Sequence, residues 1–224
     1  PDGEHIAFIR DQGTLVVRTV ADGTEDVVLD HWSAADYDWS VPHRFTAGQK
    51  QRVGELLRRA ARNVSRRLGE QLQSEIDVAA GELEQLYRDA LRDEDHEQSE
   101  YVLSVKRQDG GACGLVLVPR AQAVALVTQM LGSSEQDQAQ RELSPLEGDL
   151  LGYLLGSVVD AVSDAVTEWG GPALQQGENV LDDERPLPGE VPEFCRVRFT
   201  AGEDGAMSLV VVLDSEVIAE AAPL

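Results

Sequence analysis

The residues able to do chemistry in this chain are few and scattered. The four histidines are His5, His31, His43 and His96, and none stands in the HxH, HExxH or Cys-His spacing that would bring imidazole nitrogens onto one metal ion. The two cysteines, Cys113 and Cys195, lie far apart, with no CxxC and no neighbouring histidine. A disulfide framework is therefore not expected, and a reducing compartment is the default. There is no GxSxG elbow, no Walker GxxxxGK[ST] and no strand-linked GxGxxG, so the usual marks of serine hydrolases, P-loop nucleotide hydrolases and dinucleotide enzymes are missing. Asp93-Glu94-Asp95 and Asp182-Asp183-Glu184 have the charge to attract a divalent cation. Without the ligand order of an EF-hand they read as solvated loops. No catalytic, cofactor-binding or metal-binding residue is assigned, and the chain is read as a non-enzyme.

Charge narrows the partners. The chain carries 41 acidic and 19 basic side chains, for a net charge of −22. That balance argues against nucleic acid, whose phosphates need clustered Lys and Arg, and against an anionic membrane surface. One stretch runs the other way: Lys50, Arg52, Arg58, Arg59, Arg62, Arg66 and Arg67 fall close together. It reads either as a solvated face that offsets the surrounding acidity or as a docking face for an acidic partner, including another copy of the chain. No apolar run approaches the roughly 18 residues of a membrane span, so membrane insertion is not expected. No signal peptide is visible, and a start at Pro1 is compatible with a piece of a longer product.

The elements that would position any site fall into two textures. Residues 1–35 hold short β-like runs, "HIAFIR", "TLVVRTV" and "EDVVLD", punctuated by "DQG" and "ADG", and predict a small antiparallel meander. Residues 36–45 form a linker, and the aromatics that precede the first long helix, Trp32, Tyr37, Trp39 and Phe45, are expected to seat it on the core. From Thr46 the pattern turns helical: Thr46 to Gln49 fits a capping box. Val53, Leu56, Leu57, Ala60, Ala61, Val64, Leu68 and Leu72 then make a one-face stripe. "EIDVA" reads as a strand, "ELEQLYRDALR" as a short helix, and "YVLSVKRQDGGACGLVLV" as two strands about a DGG turn. Pro119 opens a helix, "PRAQAVALVTQML". Ser144, Pro145 and Glu147 supply the N-cap, first-turn proline and capping-box glutamate of a second long helix reaching about Trp169. The remainder reads as strand, turn, strand and short helix.

An internal duplication organises these pieces. At an offset of 94, Gly111 aligns with Gly205, Ala112 with Ala206, Leu115 with Leu209, Val116 with Val210 and Val118 with Val212. A long helix precedes each hairpin and a short helix follows it. The expected fold is α/β: a pseudo-two-fold α/β/α domain over residues 46–224, with halves 46–132 and 143–224, and a short N-terminal β meander. In the second long helix Gly148, Gly152 and Gly156 recur every four residues on one stripe. Each costs about 1 kcal/mol against alanine, so close helix packing along that stripe is expected.

Several stretches resemble the middle domain of the flagellar motor switch protein FliM. They are "YDWSVPHRFTAGQ", "ARNVSRRLGEQL", "LVLVPRAQAVALVTQMLG", "RELSPLEGDLL" and "GAMSLVVVLDSEVIAEA", in continuous order from Asp36 onward. Separately, "PDGEHIAFIRDQGTLVVRTVADG" resembles one blade repeat of a Tricorn/TolB-type β-propeller. The FliM resemblance implies a cytoplasmic part of the switch ring, peripheral to the inner membrane, that contacts neighbouring copies of itself and a FliG-like partner. It implies that Leu131, Gly132, Ser133 and Ser134, in the family's glycine-rich loop, face that partner. The sequence departs from the family there, because Ser133 and Ser134 stand where glycines are usual. The family's N-terminal CheY-binding peptide is not seen, nor is a ring-forming SpoA-type domain. Two alternatives stay open: a diverged scaffold without a motor role, and the related CheC-type CheY phosphatase. The latter needs a helix-borne E-x-x-N, and here Ala60, not a glutamate, stands three before Asn63.

Overall fold

The computed structural model describes residues 5–10, 14–19, 25–29, 44–45, 47–93, 100–132, 141–180, 192–202 and 207–221. Two units divide at His43 and Arg44. In the first, β1 (His5–Arg10), β2 (Thr14–Thr19) and β3 (Glu25–Leu29) pair antiparallel in sequence order.

The second unit is built on the stripe of its first helix. In α1 (Ala47–Leu72) every predicted stripe residue from Val53 to Leu72 is buried. The chain continues through β4 (Val78–Ala80), β5 (Glu84–Tyr87), α2 (Arg88–Asp93), β6 (Glu100–Arg107), β7 (Ala112–Pro119) and α3 (Arg120–Met130). The second half follows as α4 (Pro145–Glu168), β8 (Leu174–Val180), β9 (Glu193–Ala201), β10 (Met207–Asp214) and α5 (Ser215–Ala221). Helices α1 and α4 pack together in the main core, against strand residues such as Leu103, Val116, Val197, Phe199 and Val211. A smaller cluster on the alternate strand positions, Val102, Leu115, Leu117, Phe194 and Val212, is covered by Leu91 of α2.

The sheet runs β4-β9-β10-β7-β6-β8, with β5 also on β9. That order reads the same from either end once the halves are exchanged: β10 with β7, β9 with β6, β4 with β8. Each half lends its edge strand to the other half's hairpin, so neither half is a closed unit. The pseudo-two-fold α/β/α architecture is thus present, but the predicted offset of 94 is corrected. Across the central pair, Val116 stands opposite Val211, Leu115 opposite Val212 and Leu117 opposite Val210. A two-fold axis normal to an antiparallel sheet passes through one opposed pair and exchanges its two residues, so the offset equals that pair's difference, and every one of these pairs differs by an odd number. An even offset would put Leu115, in the small cluster, in the place of Leu209, in the main core. A shift of one residue on this strand restores agreement: Leu115 matches Val210, Val116 matches Val211, and Pro119 matches Asp214 as last strand residue.

Two further differences from the sequence reading have local causes. "ELEQLYRDALR" is not one helix; β5 precedes α2 because Gln85 is more valuable extended. Its buried amide accepts from the Phe45 N–H at 2.7 Å and donates to the Phe45 carbonyl at 3.1 Å, while Leu86 packs on the small cluster. The polar strand β8, "LQQGENV", has no apolar alternation to announce it, yet it pairs with β6. Helix α4 is long and apolar enough by composition to cross a membrane, which the absence of an unbroken apolar run had hidden. Its most apolar window is 67% buried in this domain, as suits a core helix.

Candidate partner-binding surface

The predicted partner residues begin where α3 ends. The Leu131 amide donates to the Val127 carbonyl at 3.0 Å, and the Gly132 amide to the Gln129 carbonyl at 3.0 Å. Gly132 has φ +70, the left-handed conformation that closes many helices and costs a side-chain-bearing residue about 1–2 kcal/mol. Gly132 is therefore explained by helix termination. Leu131 is 56% exposed and is the residue of the pair whose side chain stands in solvent. Ser133 and Ser134 lie outside the described residues, as do Thr46, Trp32, Tyr37, Trp39 and the acidic run at 182–184.

The connection returns to the fold through a hydrogen-bonded mount. The Leu143 amide donates to the Tyr101 hydroxyl at 3.1 Å. Ser144 caps α4, and Glu147 accepts from its amide at 2.8 Å, completing the predicted capping box. Glu147 also receives both outer nitrogens of Arg141, at 2.8 and 2.5 Å. These contacts, Arg141 first and the Ser144 amide and hydroxyl next, hold its carboxyl down to about 2. One glutamate thus serves as helix cap and as anchor for the chain entering the helix.

Beyond this mount α4 turns apolar side chains outward. Leu146 and Tyr153 are 69% and 62% exposed, with half-buried Leu150 between them on the same stripe. With Leu131, they are the large apolar side chains left exposed among the described residues. Sequence reasoning missed Leu146 and Tyr153. The available signal was their position on α4, away from the side that carries Leu151, Leu154 and Val158.

The glycine stripe has a divided role. Gly156 is buried where the Gln176 side chain of β8 crosses it, and an added Cβ would collide with that amide. Gly148 and Gly152 instead line a cavity of about 200 Å³ with Tyr101, Leu103 and Leu155.

The basic stripe of α1 faces the acidic flank of α4. Arg59 meets Glu168 at 2.9 Å, Arg67 meets Asp164 at 2.7 Å and Asp160 at 3.5 Å, and Arg66 pairs with Glu70 on its own helix at 3.4 Å. Part of the stripe is thereby used inside the domain, at solvent-exposed pairs worth little each. Asn63 donates to the Ala161 carbonyl at 3.2 Å, which ties it to α4. Cys113 and Cys195 are buried and free, and burial pushes both thiols up to about 12. No group of three or more His, Cys, Asp or Glu is placed to hold a metal among the described residues. Phe45 is buried in the main core.

No known family profile matches the chain, and no curated protein matches it by sequence. Solved structures do. FliY from Thermotoga maritima aligns with TM-score 0.66 at 16% identity, covering 80% of this chain and 96% of that one. The FliM middle domain from H. pylori aligns at 0.65 and 12%, covering 80% and 98%. A FliG–FliM complex from H. pylori aligns at 0.67 and 13%, covering 80% and 100%. The domain therefore has the FliM/FliY middle-domain fold. No β-propeller is among these similar structures.

Proposed function

We propose that this chain is a non-enzymatic assembly and signal-relay module of a flagellar motor switch, working in the cytoplasm at the inner-membrane basal body. It would bind a FliG-like partner and neighbouring copies of itself. The observation that carries the reading is the fold shared over nearly the whole length of FliM middle domains, one of them solved with FliG. Exposed Leu131 supports it, since it stands at the start of the stretch that the resemblance assigns to the partner. The contact surface comprises Leu131, Ser133 and Ser134, with Gly132 setting the turn and Leu146 and Tyr153 extending the apolar area along α4. The mechanism is rigid-body: a domain whose long helices share one core moves as a unit and transmits tilt through its contacts.

The test is a calorimetric titration of the chain against its cognate FliG middle domain. Saturable binding, lost in Leu131→Asp and in Ser134→Arg, is expected, and Ser133→Gly is expected to strengthen it. No binding at high micromolar concentration would leave the second reading, a scaffold that kept the fold without the motor. The lack of any sequence-level family match favours that reading.

A further inference from the structure

The two halves of the domain differ at a place where their symmetry calls for a match. At one sheet edge the end of β6, from the first half, is tied to α5 of the second. Arg107 reaches Glu220 at 2.8 and 3.0 Å, and the Gln108 amide donates to the Ala173 carbonyl at 2.9 Å. Gly171 lies so near Ala221 that an added Cβ would sit 2.8 Å from the alanine methyl. That corner is closed.

The symmetry mates of that ion pair are both alanines. Ala201 stands opposite Val78 at one sheet edge as Arg107 stands opposite Leu174 at the other. Ala125 holds the place on α3 that Glu220 holds on α5, each the sixth residue past the matched strand ends Pro119 and Asp214. Among the described residues the ion pair has no counterpart there, and a groove of about 660 Å³ lies between α3 and the sheet edge.

Its chemistry is one-sided. Gln122, Ala125, Leu126 and Gln129 present a single face of α3, with the small Ala125 at its exposed centre. Ile76, Leu126 and Met207 supply apolar lining. Glu75 and Asp77, both exposed, supply carboxylates, and among the described residues neither lysine nor arginine lines the groove. Gln122 accepts from the Ser208 amide at 2.7 Å and Gln129 donates to the Ser74 hydroxyl at 3.3 Å, so the polar walls are already braced. The α3 face is about 10 Å long, two helical turns. An alanine at its centre permits the 8–10 Å approach typical of packed helices.

We propose that this groove docks an amphipathic helix of a partner protein, carrying Lys or Arg beside its apolar anchors. The proposal is independent of the motor reading. The test uses the whole chain and two synthetic 14-residue amphipathic helices as probes, one built of Leu and Lys and the other of Leu and Glu. The chain has two methionines, which makes the readout clean. With methyl-labelled methionine, Met207 reports the groove and Met130, packed on the core, serves as control. At about 150 mM salt, where distant charges are screened, the Leu/Lys helix should shift Met207 saturably and leave Met130 unmoved. Ala125→Trp, at an exposed site, should leave the melting midpoint unchanged and weaken that binding about tenfold or more. Glu75→Lys with Asp77→Lys should weaken it too. An unmoved Met207, binding undiminished in Ala125→Trp, or equal binding of the Leu/Glu helix would each overturn the proposal.

Discussion

At the scale of single residues, helix ends are where identity and conformation collide. Helix α4 closes with Gly170 at φ +88 and α3 with Gly132 at φ +70, but α1 closes with Gln73 at φ +49. The Ser74 amide reaches back to the Gly69 carbonyl at 3.1 Å, the long bond of the glycine-ended motif, with the wrong residue in its left-handed position. Gln73→Gly should raise stability by about 1 kcal/mol, read as a higher urea midpoint; a lower midpoint would show that the glutamine side chain offsets its own strain. Glu147 offers a test in pH. Its carboxyl sits at about 2 in the folded chain and at about 4.3 unfolded. A depressed acid contributes stability above its unfolded value and loses that contribution as pH falls toward the folded one. Glu147→Gln should therefore lower the midpoint near neutrality, and the deficit should shrink between about pH 4.3 and 2. A deficit constant across that window would mean that the carboxylate charge is irrelevant.

At the scale of elements, glycines separate strand contacts from helix contacts. On β7, a Cβ at Gly114 would strike the Val212 carbonyl and lie 3.2 Å from the Leu213 Cα, backbone that cannot yield without breaking the central ladder. At Gly156 the obstacle is the far end of a long side chain, Gln176, rather than backbone, and alanine returns about 1 kcal/mol of helix propensity. Gly114→Ala should therefore cost several times what Gly156→Ala costs in thermal melts, and equal costs would refute the distinction. Gly152→Leu adds bulk to a buried position beside the 200 Å³ cavity; a loss of about 1–3 kcal/mol is expected from overpacking. An unchanged midpoint would mean that the cavity absorbs the side chain.

At the scale of the whole molecule, the halves complete one another. Edge strand β4 belongs to the first half in sequence but pairs with β9 of the second, and β8 does the converse. Exchange of edges fuses two αββα repeats into one sheet and one main core. The proposed non-enzymatic reading has its test at this scale. Asn63 spends its amide on the Ala161 carbonyl between the long helices and has no glutamate three residues before it. The whole chain should release phosphate from phosphorylated CheY no faster than the spontaneous rate, and clear acceleration would overturn the non-enzymatic reading.

What the sequence determined by itself was whatever depends on neighbours along the chain. The stripe from Val53 to Leu72, the cap formed by Ser144 and Glu147, and the DGG hairpin follow from local periodicity and turn chemistry. The order of elements disclosed the duplication. Tertiary structure alone decided the register of that duplication, because an antiparallel pair fixes which residues oppose one another and the sequence offers several equally apolar alignments of valine and leucine. It alone revealed β5 and β8, whose polar residues become strands by pairing with β9 and β6 rather than by any pattern of their own. It also placed Leu131, Leu146 and Tyr153 in solvent and left Ala125 beside an open groove. Exposure is set by what packs against a helix, and that partner lies elsewhere in the sequence.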